Sequence, residues 1–233
     1  MDYYSPQNYA SLDCLRKAID GIRRFDLILL QIHTLEAMIT NADIDTIASA
    51  NGMLARAYTD ADLFDLEMER IFRRAWIFVG HDSHVPNPGD FRRTNIGTDE
   101  VLLVRQKDHS LKVLSNSCAH RGTQICTATL GNAKSFVCPY HAWAYDLSGA
   151  LKAVPNLDSY PNGFKITHPS LHLKSASRVE SYRGFVFASL SEQGPSLIEF
   201  LGKMTDAIDN LVERSPTQMI STEGGHFKVR YPG

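Results

Sequence analysis

Cys118-Ala119-His120-Arg121-Gly122 and Cys138-Pro139-Tyr140-His141 decide how this chain is read. Each stretch supplies one cysteine and one histidine, close enough in sequence to share one tight loop. Thiolate and imidazole together suit zinc or iron-sulfur chemistry. A structural zinc site also accepts two Cys and two His about one ion, but zinc modules usually pair Cys with Cys and His with His, as in C-x-x-C followed by H-x-x-x-H. Here each loop supplies one of each. That division suits a 2Fe-2S cluster in which two histidines replace two cysteines on one iron. Gly122 would let the backbone pass close to such a group and Pro139 would stiffen the second loop, although both are also ordinary turn residues.

With Gly131-Asn132 between them and Ala142-Trp143 following, these residues resemble the Rieske motif of aromatic-ring-hydroxylating oxygenase large (α) subunits. Trp76 to Asp90, containing G-H-D-S-H-V-P-N-P-G-D, and Tyr182 to Leu190, Y-R-G-F-V-F-A-S-L, resemble the stretches that flank that motif. The resemblance runs from Tyr58 to Leu190. It departs from the family at Ala142, where Gly is usual, and at Ala144, where Thr is common; neither position is a ligand, so local packing is what the departures touch. The resemblance implies a mainly β fold with flanking helices (α+β), an antiparallel Rieske-type 2Fe-2S domain whose cluster sits at the tips of two β-loops. It implies Cys118, His120, Cys138 and His141 as the cluster's ligands. Respiratory Rieske proteins carry an extra disulfide between the loops; its second cysteine would fall at Tyr140, so that bridge is not expected.

Charge explains what mixed ligands achieve. Two ferric ions, two sulfides and two thiolates sum to zero, so an added electron meets less negative charge than in a four-thiolate cluster. Potentials follow, at about −150 to +300 mV for Rieske centres against about −400 mV for plant-type ferredoxins. A ligand imidazole also has a second ring nitrogen whose proton is held more tightly on reduction, which couples electron to proton.

In the family, such electrons reach a mononuclear non-haem iron held by two His and a carboxylate. The D-x-x-H-x-x-x-x-H motif that would supply it has no counterpart before Gly233. His81 and His84 form H-x-x-H on a loop leading into the sheet and are expected to make loop hydrogen bonds. His33, His109, His168, His172 and His226 are isolated, as surface or packed histidines are. The expectation is therefore the electron-transfer portion of an oxidoreductase, a ring-hydroxylating dioxygenase α subunit of aromatic hydrocarbon catabolism. On this reading the chain alone transfers electrons without hydroxylating. The other readings are a stand-alone Rieske ferredoxin-like carrier and a non-redox zinc module. The oxygenase reading implies a reductase or ferredoxin donor fed by NAD(P)H, dioxygen and an aromatic substrate. Its further partners would be the rest of the α subunit, a small β subunit and a homo-oligomer passing electrons between subunits.

The chain has 233 residues, with 24 Lys and Arg against 26 Asp and Glu and a formal net charge of −2. The basic residues are scattered, so nucleic acid and anionic membrane are not expected partners. The longest apolar run, Leu27 to Leu30, is too short to span a bilayer and no leader pattern is visible, so a reducing cytoplasm is expected. Of the four cysteines, Cys14 and Cys126 stand outside the motif, and Cys126 is expected to be a small buried hydrophobe beside the first loop.

Residues 1–52 read as a helical extension, with Leu12, Leu15, Ile19 and Ile22 at helical spacing behind Ser11; a docking helix, a packed extension and an early start site all fit. Residues 53–215 read as the Rieske domain with its flanking helices. Thr59 is the expected cap of a first helix, with Phe64, Met68, Ile71, Phe72 and Ala75 on its buried face. Strands are expected at Val101–Val104, Leu111–Leu114, Phe136–Val137, Leu171–Leu173 and Phe185–Phe187. Turns are expected at Lys107-Asp108, Gly131-Asn132, Ser148-Gly149 and Asn162-Gly163. Pro195-Ser196 opens a last helix with Leu197, Leu201, Met204, Ile208 and Leu211 on one face, ending near Pro216. Alternation at His226 to Tyr231 reads as the start of a truncated catalytic domain over 216–233.

Overall fold

A computed structural model describes residues 47–49 and 52–214. The expected N-terminal helix, Cys14, and the alternating stretch from His226 lie outside the described residues. The chain divides into two compact units, one up to Asp65 and one from Leu66 onward. In the first, β1 (Ala48–Ser49) pairs antiparallel with β2 (Gly52–Met53). Helix α1 (Ala61–Glu67) follows. Its cap is Asp60 rather than Thr59: the Asp60 carboxylate accepts the backbone N–H groups of Asp62 and Leu63, at 3.0 and 3.1 Å.

The second unit is a stack of antiparallel sheets. Strands β3 (Ile77–His81), β4 (Asp90–Ile96), β5 (Asp99–Arg105) and β6 (Leu111–Ser115) are followed by the short β7 (Leu130–Asn132), β8 (Phe136–Val137), β9 (Ala144–Tyr145) and β10 (Leu151–Ala153). The last pair is β11 (Arg178–Tyr182) and β12 (Phe185–Ser189). They form a four-stranded sheet ordered β6-β5-β4-β7 and two three-stranded sheets, β11-β12-β3 and β10-β9-β8. Strand β5 explains the layering. Its run Val101–Val104 is buried on both faces, as a central strand between two cores should be. Val101 and Leu103 pack with Val79, Val113 and Val186 toward β11-β12-β3. Leu102 and Val104 turn the other way, into a core that also contains Cys118, Cys138, Trp143 and Tyr145. One strand thereby anchors the two expected cluster loops.

Several expectations fail for identifiable reasons. Phe64 and Ile71 stay about half exposed, and after Glu67 a π-turn, Met68–Phe72, widens the helix and shifts the phase of the apolar positions that follow. Gly131-Asn132 is not a turn but part of β7; the glycine is there because a Cβ would run into the Phe91 ring, 2.8 Å away. Leu171–Leu173 is no strand, since a 3-10 turn occupies Pro169–Leu171. The last helix breaks in two, α2 (Leu197–Leu201) and α3 (Met204–Glu213), at Gly202, whose φ of 48° no helix continues through. That break rotates Met204 and Leu211 outward and leaves Leu197 and Ile208 as the buried contacts. Among the described residues no helix is long and apolar enough to cross a membrane.

Candidate metal centre

The first loop leaves β6 and the second joins β8 to β9, and their backbones close in the same way. Cys118 N–H donates to Thr123 O at 2.9 Å, and Gly122 N–H donates to Cys118 O at 2.8 Å. In the second loop Cys138 N–H donates to Trp143 O and Ala142 N–H to Cys138 O, both at 2.9 Å. Each loop thus turns on a left-handed residue four places after its cysteine, Gly122 at φ 70° and Ala142 at φ 53°. A side chain in that region costs about 1–2 kcal/mol, partly offset because glycine loses more entropy on folding. Ala142→Gly is accordingly expected to stabilise the chain by roughly 0.5–1 kcal/mol. A raised urea midpoint at unchanged slope would register it, and a lowered midpoint would mean the methyl group packs usefully.

The turns bring all four motif residues together. Cys118 and Cys138 are buried at 3% and 2% exposure, while His120 and His141 are half-buried with ring centroids 4.7 Å apart. Cysteines lie inward and histidines outward. Among the described residues no three His, Cys, Asp or Glu side chains gather about one point as a single-ion site requires. A two-iron cluster asks instead for its protein ligands in two pairs. His120 Nδ1 is buried and has no hydrogen-bond partner among the described residues. A buried polar atom left unpaired costs about 1–3 kcal/mol, so this lone pair is suited to a metal that supplies the missing bond. Burial, and then the nearby His141 and Arg121, hold the His120 pKa below the usual imidazole value. The ring is kept neutral, as a ligand must be. These donors fit a 2Fe-2S group.

Two aromatic residues complete the surroundings, and the motif alone does not assign them roles. Trp143 lies flat against His120, 4.7 Å between centroids and 9° between planes, and its indole N–H donates to Tyr160 Oη at 3.0 Å. Tyr145, fully buried, has its hydroxyl 3.2 Å from Cys118 Sγ. Burial first, and then the hydrogen bond with Cys118, push the phenol pKa far above its ordinary value. Tyr145 therefore keeps its proton and, against a thiolate, is the donor. A donor to a ligand sulfur favours the reduced state. A hydrogen bond about 1 kcal/mol stronger to the reduced state than to the oxidised one corresponds to about 40 mV for one electron, the fall in potential expected of Tyr145→Phe. A redox titration showing no change would rule out that bond. Its sequence signal was a lone aromatic two residues beyond Trp143, at the position that β9 turns inward.

The base of the first loop is held by Asn116, buried at 2% exposure. Its amide donates to Cys126 O at 2.8 Å and to Glu100 Oε2 at 3.2 Å, and its carbonyl accepts from Cys126 N–H at 2.9 Å. Glu100 also accepts from Arg93 and from Gln124. A partly buried network of this kind, centred on a buried and fully paired Asn116, favours one loop geometry. Cys126 itself is half-buried rather than buried, held through its backbone at the edge of the core. His81 and His84 make the expected loop bonds: His84 Nδ1 accepts His81 N–H at 3.0 Å, and His81 Nδ1 lies 2.9 Å from Ser83 Oγ. His172 Nδ1 accepts Leu151 N–H, and His168 Nδ1 accepts Ser170 N–H.

Comparison with known proteins agrees with this geometry. Residues 75–181 match the Rieske [2Fe-2S] domain. The chain is 42% identical over 177 residues to biphenyl dioxygenase subunit alpha of Metapseudomonas furukawaii, covering 72% of this chain and 38% of that protein. It is 42% identical over 160 residues to benzene 1,2-dioxygenase subunit alpha of Pseudomonas putida, covering 69% and 35%. Naphthalene 1,2-dioxygenase from Rhodococcus sp., solved with indole bound, superposes with a TM-score of 0.67 at 33% identity over 76% of this chain and 42% of its own. The chain thus spans a little over a third of the length of the curated relatives it matches. With a buried thiol pair and two histidines side by side at the loop tips, residues 75–181 are a Rieske [2Fe-2S] domain, and the chain belongs with the Rieske portions of aromatic-ring-hydroxylating dioxygenase α subunits.

Proposed function

We propose that Cys118, His120, Cys138 and His141 hold one 2Fe-2S cluster and that residues 53–215 serve as the unit that accepts single electrons and hands them on. The observation that carries this is the pair of equivalent turns with both cysteines buried and His120 Nδ1 buried without a partner among the described residues. Cys118 and Cys138 would hold one iron as thiolates, and His120 and His141 the other as neutral imidazoles. When bound, the group supplies a one-electron site of higher potential than an all-thiolate cluster.

The chain's own residues do the rest. Tyr145 directs a hydrogen bond at Cys118 and so tunes the site. Trp143 fixes the plane of His120 and keeps water from its inner face, while the half-exposed outer edge leaves the ring able to exchange a proton as charge changes. Asn116 and Glu100 hold the first loop so that the thiol pair keeps its spacing in both charge states.

In the whole protein the electrons would serve hydroxylation of an aromatic ring by dioxygen at a mononuclear iron. They would arrive from a reductase or ferredoxin, and the α subunit would assemble as an oligomer. The named activities of the biphenyl and benzene dioxygenase relatives support an aromatic hydrocarbon as substrate. Anaerobic purification should give about two irons and two labile sulfides per chain. Stoichiometric zinc without sulfide would refute the assignment.

A further inference from the structure

We propose that the turn His81-Asp82-Ser83-His84 is an acid-released latch, in which two neutral histidines close a reciprocal cap that holds the β11–β12 hairpin and, through it, helix α3. The turn is a 3-10 segment, Asp82–His84, that follows β3 directly. His81 Nδ1 accepts Ser83 N–H at 3.2 Å, and His84 Nδ1 accepts His81 N–H at 3.0 Å. Reciprocal caps ordinarily use Ser or Thr at the first position and Glu or Gln three residues on, none of which loses its acceptor near neutral pH. Imidazole differs. It accepts only while neutral, so one proton on either ring removes that ring's bond to the backbone.

What the turn holds is a junction of three elements. Asp82 N–H donates to Gly184 O at 2.8 Å, while the Asp82 carboxylate accepts from Ser181 Oγ at 3.0 Å and from Arg105 at 2.6 Å. Arg105 Nε also donates to Val85 O at 2.8 Å, which closes the far side of the turn. The hairpin tip is Arg183-Gly184. There Arg183 takes a φ of 53° and pairs with Asp209 at 3.1 Å and Glu213 at 3.5 Å, both on α3. A bulky residue in that backbone region persists only where its surroundings hold it. The turn braces the tip that anchors the helix.

The surroundings resist a proton. His81 is 6% exposed, with its ring edge-on to Phe185. Its Nε2 lies against Gly184, where no Cβ would fit, and has no hydrogen-bond partner among the described residues. The charged and titratable groups about the turn are Asp82 and His84 within it, Arg105 from β5, Arg92 from β4 beside Gly80, and Arg183 from the hairpin. Three guanidinium groups thus stand against one carboxylate, which Arg105 already occupies. Burial outweighs the Asp82 charge and the Arg183 carbonyl and holds the His81 pKa below its ordinary value of 6.5. A protonated Nδ1 can still turn to Ser83 Oγ at 2.9 Å, but Ser83 N–H then faces a donor. The opened turn takes up the proton that the closed one refuses, so closure is complete above pH 6.5 and is lost as pH falls below it.

The test is hydrogen exchange of the whole cluster-loaded chain between pH 7.5 and 5.5, read by mass spectrometry and corrected for the intrinsic pH dependence of exchange. Protection over residues 81–85 and 182–186 should fall with pH, by up to about tenfold for His81 alone and further with His84. Over Val101–Val104, in the central strand β5, it should stay level. His81→Asn with His84→Gln rebuilds the reciprocal cap from groups that do not titrate. That variant should keep the protection seen at pH 7.5 and lose its acid dependence. Wild-type protection that is level across the range overturns the latch, and so does a variant that falls as steeply as wild type. A loss that runs equally through β5 is general acid unfolding and overturns it too. Should the variant fail to fold, the wild-type pH dependence of the two segments against β5 decides alone.

Discussion

Replacing His141 by Cys is expected to lower the midpoint potential of the assembled chain by roughly 200 mV, about half of the gap that separates Rieske centres from all-thiolate ferredoxins. The cause is charge. A third thiolate adds a negative charge beside the site that must accept an electron, and burial of Cys118 and Cys138 limits screening by water. The same substitution would remove one of the two proposed ligand imidazoles, whose outer nitrogens would take up a proton on reduction. The potential should therefore fall less steeply with rising pH than it does in the wild type. Mediated titrations at several pH values would read both effects. An assembled variant with an unchanged potential would exclude His141 as a ligand.

Trp143→Ala should be the most damaging change outside the four proposed ligand positions. Trp143 is 2% exposed in the core that carries both cysteines. Deleting so large a buried side chain costs about 3–5 kcal/mol. The indole also stacks on His120 and bonds Tyr160, so the loss falls on the loops directly. A second readout separates its role at His120 from simple packing. In the metal-free chain, burial depresses the His120 pKa below its ordinary value of 6.5. As pH falls from 6.5 toward the depressed folded value, the unfolded chain binds more protons and stability is lost; above 6.5 the contribution is complete. Opening the ring to water in Trp143→Ala should return the pKa toward 6.5 and flatten that acid-side loss. Denaturation across pH 5 to 8 would show it. A variant that kept the full acid-side slope would mean that Trp143 does not shield His120.

What was legible from residues alone was the chemistry of the site, because ligand identity and spacing are local. Two Cys/His pairs at those separations specify their loops with little help from the remainder of the chain, and the runs Val101–Val104 and Phe185–Phe187 declare strands by composition. The tertiary structure alone decided which neighbours act on those ligands. Tyr145 reaches Cys118 across 27 positions, and Glu100 reaches Gln124 across 24, through sheet pairings that no short window contains. It also decided where local patterns mislead. Gly131 marks close approach to Phe91 rather than a turn, a π-turn shifts the face of the first helix, and Gly202 divides the last. In each case the residue type reports a local freedom or spacing, and only packing against a distant part of the chain selects what that freedom is used for.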